Sequence, residues 1–204
     1  MNKKRRLFAG ILAVLLCFSL APSSALAASE GRIFPDVPAG APYADALDTL
    51  YEMGIFEGDE HGNFNPDKTI SRAELATILC RILEAEEEAK THTSAPFTDV
   101  RDGVWYAGYV FMAAGMGIVT GYGNGLFGPN DPVKYEQAVT MLVRAWGYDW
   151  MAKDAGGYPD GYLSVARSLG FLNNVSGSVG SPAPRSTVAQ LVFNMLQTEQ
   201  FFET

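Results

Sequence analysis

The residues of this sequence whose types and spacing could support chemistry are few. Residues 123–128 spell G-x-G-x-x-G, the spacing of a dinucleotide-binding loop, but they neither follow a predicted strand nor lie in a βαβ unit. Asp59, His61, Asn63 and Asn65 alternate in the manner of calcium ligands. However, the glycine of a calcium loop is misplaced here, and no Glu stands at the distance needed for bidentate coordination. We therefore expect neither a cofactor nor a bound metal.

Candidate nucleophiles and bases also lack the neighbours that catalysis requires. Cys80 lies in an apolar helical run and is expected to be a small core residue. The only histidines, His61 and His92, fall in loop or linker segments with no Cys near enough in sequence to suggest zinc. Glycoside hydrolysis by a pair of carboxylates remains an alternative function in so acidic a protein. However, Asp36 and Asp99 recur at the same position of two repeats, which suggests a structural role. The sequence predicts a protein that is not an enzyme.

Composition and charge narrow the class of partner. Residues 1–27 form a predicted signal peptide with a basic head, an apolar run and a small-x-small cleavage site. The apolar run is shorter than the roughly 20 residues that span a bilayer. The segment holds four cations and no acid, so cleavage would make the net charge, −8 for the whole chain, still more negative. A surface of this charge disfavours nucleic acid and anionic membranes as partners.

The sequence contains internal repeats that recur at one constant offset. The matched pairs include Phe-x-Asp-Val at 34–37 and 97–100, Met-Gly-Ile at 53–55 and 116–118, and Arg81 with Arg144. A third copy is weaker. Residues 185–191 resemble residues 72–78, but the loop before them is shorter by three residues and no Phe-x-Asp-Val opens the unit. Two units are established by this periodicity, and a third degenerate unit is predicted.

Each unit is predicted to be two helices joined by a turn-rich loop. In the first unit, apolar residues recur at helical spacing over residues 43–51, and Gly54 ends the helix. Residues 57–67 are dense in Gly, Asn, Asp and Pro, which predicts a loop. Ser71 and Glu74 then open the second helix as a capping box. Because a single pair of helices cannot bury its apolar faces, we expect the units to pack around a common centre.

Two connections join the units. Residues 84–90 are charged and residues 91–96 are polar, so a solvated helix end that runs into a linker is expected there. Residues 147–157 connect the second unit to the third.

Four motifs in a fixed order resemble the S-layer homology family. They are Phe34-x-Asp36-Val37, Gly54-Ile55-x-x-Gly58, Phe64-x-Pro66 and Ile70-Ser71-Arg72-Ala73-Glu74. The resemblance implies an all-α, pseudo-threefold bundle of three tandem helix-loop-helix repeats, at 31–84, 94–146 and 157–198. It also implies binding of secondary cell-wall polysaccharide, often through a pyruvylated N-acetylmannosamine, in grooves between repeats. The expected protein is a secreted cell-wall or cell-surface anchor, or alternatively a structural envelope protein whose repeats pack against other S-layer subunits.

The chemistry of a sugar carboxylate, which needs hydrogen-bond donors and positive charge, indicates one candidate cation in each unit. Arg72 begins a helix, so exposed amide N–H groups, the positive dipole end and the guanidinium are expected to hold a sugar carboxylate. In the second unit Lys134-Tyr135 replaces the Thr-Arg pair of the family, and an ammonium is a poorer partner. In the third unit Arg185 remains, but Thr187 replaces the capping Glu. We expect a good groove around Arg72, a weaker one around Lys134 and a decayed one around Arg185.

Three further residues have two interpretations each. Asp36 and Asp99 precede a helix by several residues, and they either shape the groove, as the resemblance implies, or order a loop. Trp105 stands where the family has its Trp, and it either offers an aromatic face to a sugar ring or lies half-buried in the core. Glu74 is expected to act as a capping carboxylate in preference to a sugar contact.

Overall fold

The computed structural model describes residues 32–201. The predicted signal peptide at 1–27 lies outside these residues. The described part of the chain contains eight helices and no strand, which confirms the predicted all-α class. The helices are α1 (Ala44–Glu52), α2 (Arg72–Ile82), α3 (Glu86–Ala89), α4 (Ala107–Gly115), α5 (Tyr135–Ala145), α6 (Asp149–Asp154), α7 (Asp160–Ser168) and α8 (Arg185–Leu196). None of them is long and apolar enough to cross a membrane.

The helices form three units: unit 1 has α1 and α2, unit 2 has α4 and α5, and unit 3 has α7 and α8. The first helix of each unit packs against the second helix of the preceding unit. Thus α4 packs on α2, α7 packs on α5, and α1 packs on α8. The last contact joins the first unit to the third, so the units close into a ring, and α5 also contacts both α2 and α8. Each unit buries its apolar helix faces against its neighbours, as the repeat pattern predicts.

A ring of backbone hydrogen bonds joins the three units just before their second helices. The amide of Val133 donates to the carbonyl oxygen of Ile70 at 2.9 Å, and the amide of Ala183 donates to that of Val133 at 2.8 Å. The amide of Ile70 closes the ring by donating to Ala183 at 3.4 Å. All three residues are buried, so these polar groups satisfy one another where water cannot reach them. The ring brings the starts of α2, α5 and α8 to one place.

Local signals in the sequence account for the helix ends of unit 1. Gly54 follows α1 with φ of +70°, the left-handed conformation that glycine adopts without a Cβ clash. The capping box at α2 is complete: Glu74 N donates to Ser71 Oγ at 3.2 Å, and Ser71 N donates to Glu74 Oε2 at 2.7 Å. The capping interpretation of Glu74 is therefore confirmed.

The connection between units 1 and 2 differs from the expected solvated linker. It contains α3, which packs on α2 and α4. Ala85 and Ala89 are buried, and the carboxylate of Glu86 accepts from the hydroxyl of Tyr109 at 2.9 Å and pairs with Arg81 at 3.3 Å. The sequence prediction rested on the run of acidic residues and overlooked the two alanines at helical spacing. These alanines are small enough to let α3 pack closely on α2 and α4. The second connection likewise contains a helix, α6, which packs on α7.

Candidate functional site

Two grooves of similar size lie between the units. Groove 1 has a volume of about 390 Å³ and is built on the loop of unit 1 and on α2. Groove 2 has a volume of about 310 Å³ and is built on the corresponding loop of unit 2 and on α5. Each groove also receives one side chain from the unit after it and one from the unit before it. Groove 1 takes Trp105 and Arg185, and groove 2 takes Tyr158 and Arg72.

Arg72 reaches from unit 1 into the loop of unit 2. Its Nε donates to the carbonyl oxygen of Phe127 at 2.8 Å, and its Nη2 donates to that of Thr120 at 3.4 Å. The guanidinium carbon lies 4.8 Å from the ring centre of Phe127 and 4.9 Å from that of Tyr122. Carbonyl oxygens and ring faces hold this cation without neutralising it. Burial lowers the pKa of Arg72, yet the group stays charged at any physiological pH.

Arg185 repeats this arrangement between units 3 and 1. Its Nε donates to the carbonyl oxygen of Phe64 at 2.9 Å, and its Nη2 donates to that of Glu57 at 3.1 Å. The guanidinium carbon lies 4.9 Å from the ring centre of Phe64 and 5.8 Å from that of Phe56. Burial lowers the pKa of Arg185 as well. Among the ion pairs of residues 32–201, none involves Arg72 or Arg185.

The helix amides at Arg72 are not exposed, so that expectation was wrong. The amide of Arg72 donates to the carbonyl oxygen of Asp131 at 3.0 Å, and the amide of Ala73 donates to that of Pro129 at 3.0 Å. The third amide of the helix belongs to Glu74 and is taken by the capping box. The neighbouring unit fills these donors because the hydrogen-bond ring holds its loop against the helix end. Of the predicted carboxylate site, the guanidinium lines groove 2, although Arg72 is only 5% exposed and its Nε and Nη2 donate to the loop of unit 2.

Asp36 and Asp99 order their own loops. The two carboxylate oxygens of Asp99 accept from the amides of Phe127 at 2.8 Å and Gly128 at 2.7 Å. The two carboxylate oxygens of Asp36 accept from the amides of Phe64 at 2.8 Å and Asn65 at 2.6 Å. This geometry supports the loop-ordering interpretation and connects it to the grooves. Phe127 and Phe64 are the residues whose carbonyl oxygens hold Arg72 and Arg185.

Trp105 is 62% exposed, which argues against the core interpretation. It precedes α4 and meets the rings of Tyr106 and Tyr109 only edge-on, so one large apolar face is open at groove 1. Tyr158 is 55% exposed and holds the corresponding place before α7. Sequence analysis missed Tyr158 because the third unit lacks the Phe-x-Asp-Val motif that would have aligned it.

Lys134 lines neither groove. It is the N-cap of α5, it is exposed, and its amide donates to Oε1 of Gln137 at 3.1 Å. The position equivalent to Arg72 and Arg185 is Tyr135. Its ring packs so closely on Gly177 in the loop of unit 3 that an added Cβ there would collide with it.

A second arginine lies in each groove, and sequence analysis gave it no function. Arg81 in groove 1 pairs with Glu57 and Glu86, each at 3.3 Å. Arg144 in groove 2 pairs with Asp149 at 3.1 Å. The two arginines are equivalent positions of the repeat, and this was the signal that could have identified them.

The suspected calcium loop is held together by its own hydrogen bonds. Oδ1 of Asp59 accepts from the amides of His61 and Asn63 at 2.9 Å, and Oδ2 accepts from the side chain of Asn65 at 2.8 Å. The bond from the Asn63 amide contributes most to lowering the pKa of Asp59 to about 2. Within residues 32–201, no cluster of three or more His, Cys, Asp or Glu side chains could hold a metal ion.

These observations define a class of helical repeat protein in which every groove combines three units. Comparison with known proteins adds the family. Residues 33–76 and 96–139, together fewer than half of the 204 residues, match the model of the S-layer homology domain. The match supports the family and the cell-surface location predicted from the sequence. That unit 3 is a degenerate copy of the same domain stays a prediction.

The relatives are much longer proteins. The Middle cell wall protein of Brevibacillus brevis is 34% identical over 193 residues, which are 93% of this chain and 18% of that protein. The Surface layer protein of Brevibacillus choshinensis is 34% identical over 187 residues, or 91% of this chain and 16% of that protein. Exoglucanase XynX of Acetivibrio thermocellus is 26% identical over 171 residues, which are 75% of this chain and 15% of that protein. The chain therefore spans less than a fifth of each.

Proposed function

We propose that this chain is a non-catalytic anchor that binds secondary cell-wall polysaccharide of the bacterial envelope, with a pyruvylated amino sugar held in the grooves between units. One observation carries the proposal. Two equivalent grooves each contain a guanidinium, Arg185 or Arg72, that is fixed by carbonyl oxygens and aromatic rings and has no ion-pair partner among the described residues. A cation held in place and left without a counter-charge favours an anionic ligand.

The surroundings of each guanidinium suit a sugar. Nη1 of Arg72 and of Arg185 makes no hydrogen bond among those recorded for residues 32–201, so N–H donors remain for a carboxylate. An exposed aromatic ring, Trp105 or Tyr158, stands at each groove and can cover the apolar face of a pyranose. Two such grooves on one chain would bind a repetitive polymer with avidity, so modest affinity at each is sufficient for anchoring.

Sedimentation with purified cell walls tests the proposal. The protein without its predicted signal peptide should sediment with intact walls. It should remain in the supernatant when the polysaccharide or its pyruvyl groups have been removed from the walls. Replacing both arginines, by Arg72→Gln and Arg185→Gln, should weaken binding by about tenfold or more, since charge-assisted hydrogen bonds are lost. Arg101→Gln removes an exposed cation that lines neither groove and should change nothing.

A second pair of variants avoids the risk that loss of a buried arginine unfolds the protein. Trp105→Ala changes an exposed ring and should leave the thermal unfolding midpoint nearly unchanged while wall binding falls. Tyr158→Ala should also weaken wall binding, and because it removes a 3.4 Å hydrogen bond to the buried residue Glu136, its midpoint is compared with that of Tyr158→Phe, which lacks the same bond but keeps the ring. Binding that survives removal of the polysaccharide and all four substitutions would favour the structural envelope protein. Release of sugar from the walls would instead indicate an enzyme.

A further inference from the structure

We infer that the two grooves recognise different sugars: groove 2 takes the acidic residue of the glycan, and groove 1 takes a neutral one. This inference rests on the proposed function and deepens it. The grooves share one framework, because each has a guanidinium from the preceding unit, an arginine on its own second helix and an exposed ring from the following unit. Any difference in ligand must come from the remaining lining residues.

The net charge of those remaining residues is less negative in groove 2, although one exchange runs the other way, because Lys68 of groove 1 is equivalent to Asp131 beside groove 2. Every acidic side chain that lines groove 1 is replaced by a neutral one at the equivalent repeat position in groove 2. The pairs are Glu57 with Thr120, Asp59 with Tyr122, and Glu74 with Gln137. The helix arginines are retained, and each is paired with an acid at the same spacing, Glu86 or Asp149.

The charge of the two grooves therefore differs. Groove 1 balances three cations against three acids; its cations are Lys68, Arg81 and Arg185. Groove 2 is lined by Arg72 and Arg144 and by no acid. Two carboxylates lie beside groove 2 without lining it: Asp131 accepts from the hydroxyl of Tyr122 at 2.9 Å, and Glu136 accepts from that of Tyr158 at 3.4 Å. The difference between the grooves is therefore one of the charge of the lining itself. Carboxylates act on both guanidiniums against the larger lowering effect of burial: Glu74 and Asp59 raise the pKa of Arg185, and Asp131 and Asp99 raise that of Arg72.

The two linings suit different ligands. A neutral sugar presents hydroxyl donors and one apolar face, and groove 1 offers carboxylate acceptors and the open face of Trp105. A sugar acid is repelled by the same carboxylates. Groove 2 offers a guanidinium, a tyrosine on either side and no repelling carboxylate in its lining, so an acidic sugar is favoured there.

Amide signals in NMR titrations report each groove separately. Gly58 lines groove 1 and Gly121 lines groove 2, and they are equivalent in the repeat. The probes are N-acetylmannosamine and its pyruvate ketal, which differ in one carboxylate. We expect the ketal to shift the amide of Gly121 at a concentration about tenfold below that needed for Gly58, and the neutral sugar to shift Gly58 first.

Exchanging the charges between grooves completes the test. The double variant Thr120→Glu, Gln137→Glu should raise the ketal concentration needed to shift Gly121 by about tenfold. In water, each added negative charge about 7 Å from the ketal carboxylate weakens binding roughly threefold. The converse double variant, Glu57→Thr with Glu74→Gln, should strengthen the response of Gly58 and keeps a capping side chain at position 74.

The outcomes separate this inference from the proposed function. Parallel shifts of both amides with either sugar, or no shift in either, would overturn the inference while wall sedimentation of the same protein upholds anchoring. Loss of wall sedimentation in the wild type would remove the anchoring function itself.

Discussion

Replacing Asp99 by asparagine tests whether one carboxylate holds both a loop and the arginine of the neighbouring unit. The Asp99 carboxylate accepts from the amides of Phe127 and Gly128 at 2.8 and 2.7 Å. The carbonyl oxygen of Phe127 then accepts from Arg72 at 2.8 Å. A disturbance at Asp99 should therefore reach groove 2 through a single residue.

The expected loss of stability follows from this geometry. Hydrogen bonds to a charged group contribute roughly 1.5–3 kcal/mol each. Asparagine keeps one acceptor oxygen and turns an NH₂ group toward the other amide, so one bond is lost and two donors face each other. Because Asp99 is partly exposed, water offsets some of the cost. We expect the free energy of unfolding to fall by about 2 kcal/mol.

Urea unfolding followed by circular dichroism measures this loss. With an m value of about 2 kcal/mol per molar, the midpoint should fall by about 1 M. Asp36→Asn should behave alike, because Asp36 makes the equivalent bonds in unit 1. Asp102→Asn removes the same charge from an exposed side chain nearby and should shift the midpoint little. Equal midpoints for Asp99→Asn and Asp102→Asn would refute the loop-holding role.

Three other predictions concern packing and ionisation. Gly108→Ala should destabilise the protein by roughly 2–4 kcal/mol in thermal or urea unfolding, because the new Cβ would collide with the carbonyl oxygen of Ala89; Gly115→Ala in the same helix meets nothing and should be neutral or slightly stabilising. Burial raises the pKa of Cys80 to about 12, so its reaction with a thiol reagent at pH 8 should be slow until urea unfolds the chain, and a fast native reaction would contradict this. In the folded protein the pKa of Asp59 is lowered to about 2, below its unfolded value. The stability that this carboxylate contributes is therefore present above about pH 4 and is lost as the pH falls toward 2. Asp59→Asn should make unfolding less sensitive to acid in that range, and an unchanged dependence of stability on pH would contradict this role of Asp59.

The sequence predicted the local features of the fold because each depends on nearby residues. The helix pairs, the capping box of Ser71 and Glu74, and the left-handed Gly54 all follow from spacing within a few positions. It did not predict which loop receives Arg72, because a constant repeat offset shows which positions are equivalent and not which units touch. The occupied amides at the start of α2 were missed for the same reason, since their acceptors belong to another unit.

The order of packing explains two departures from the repeat pattern that looked unrelated in the sequence. The side chain at the start of each second helix enters the loop of the following unit, so Arg72 serves unit 2 and Arg185 serves unit 1. The remaining loop, that of unit 3, faces Tyr135. This is the loop that is three residues shorter, and the position facing it is the one that lacks an arginine.

A tyrosine cannot supply the guanidinium donors that hold the carbonyl oxygens of a longer loop. A tyrosine ring can fill volume, and that of Tyr135 does so against Gly177. The backbone amide of Tyr135 donates to the carbonyl oxygen of Ser181 at 2.9 Å. The tyrosine and the shorter loop thus meet in one contact, in which a ring packs at the position that an arginine occupies in the other two units. Arg185 belongs to unit 3, but the groove that it completes is that of unit 1.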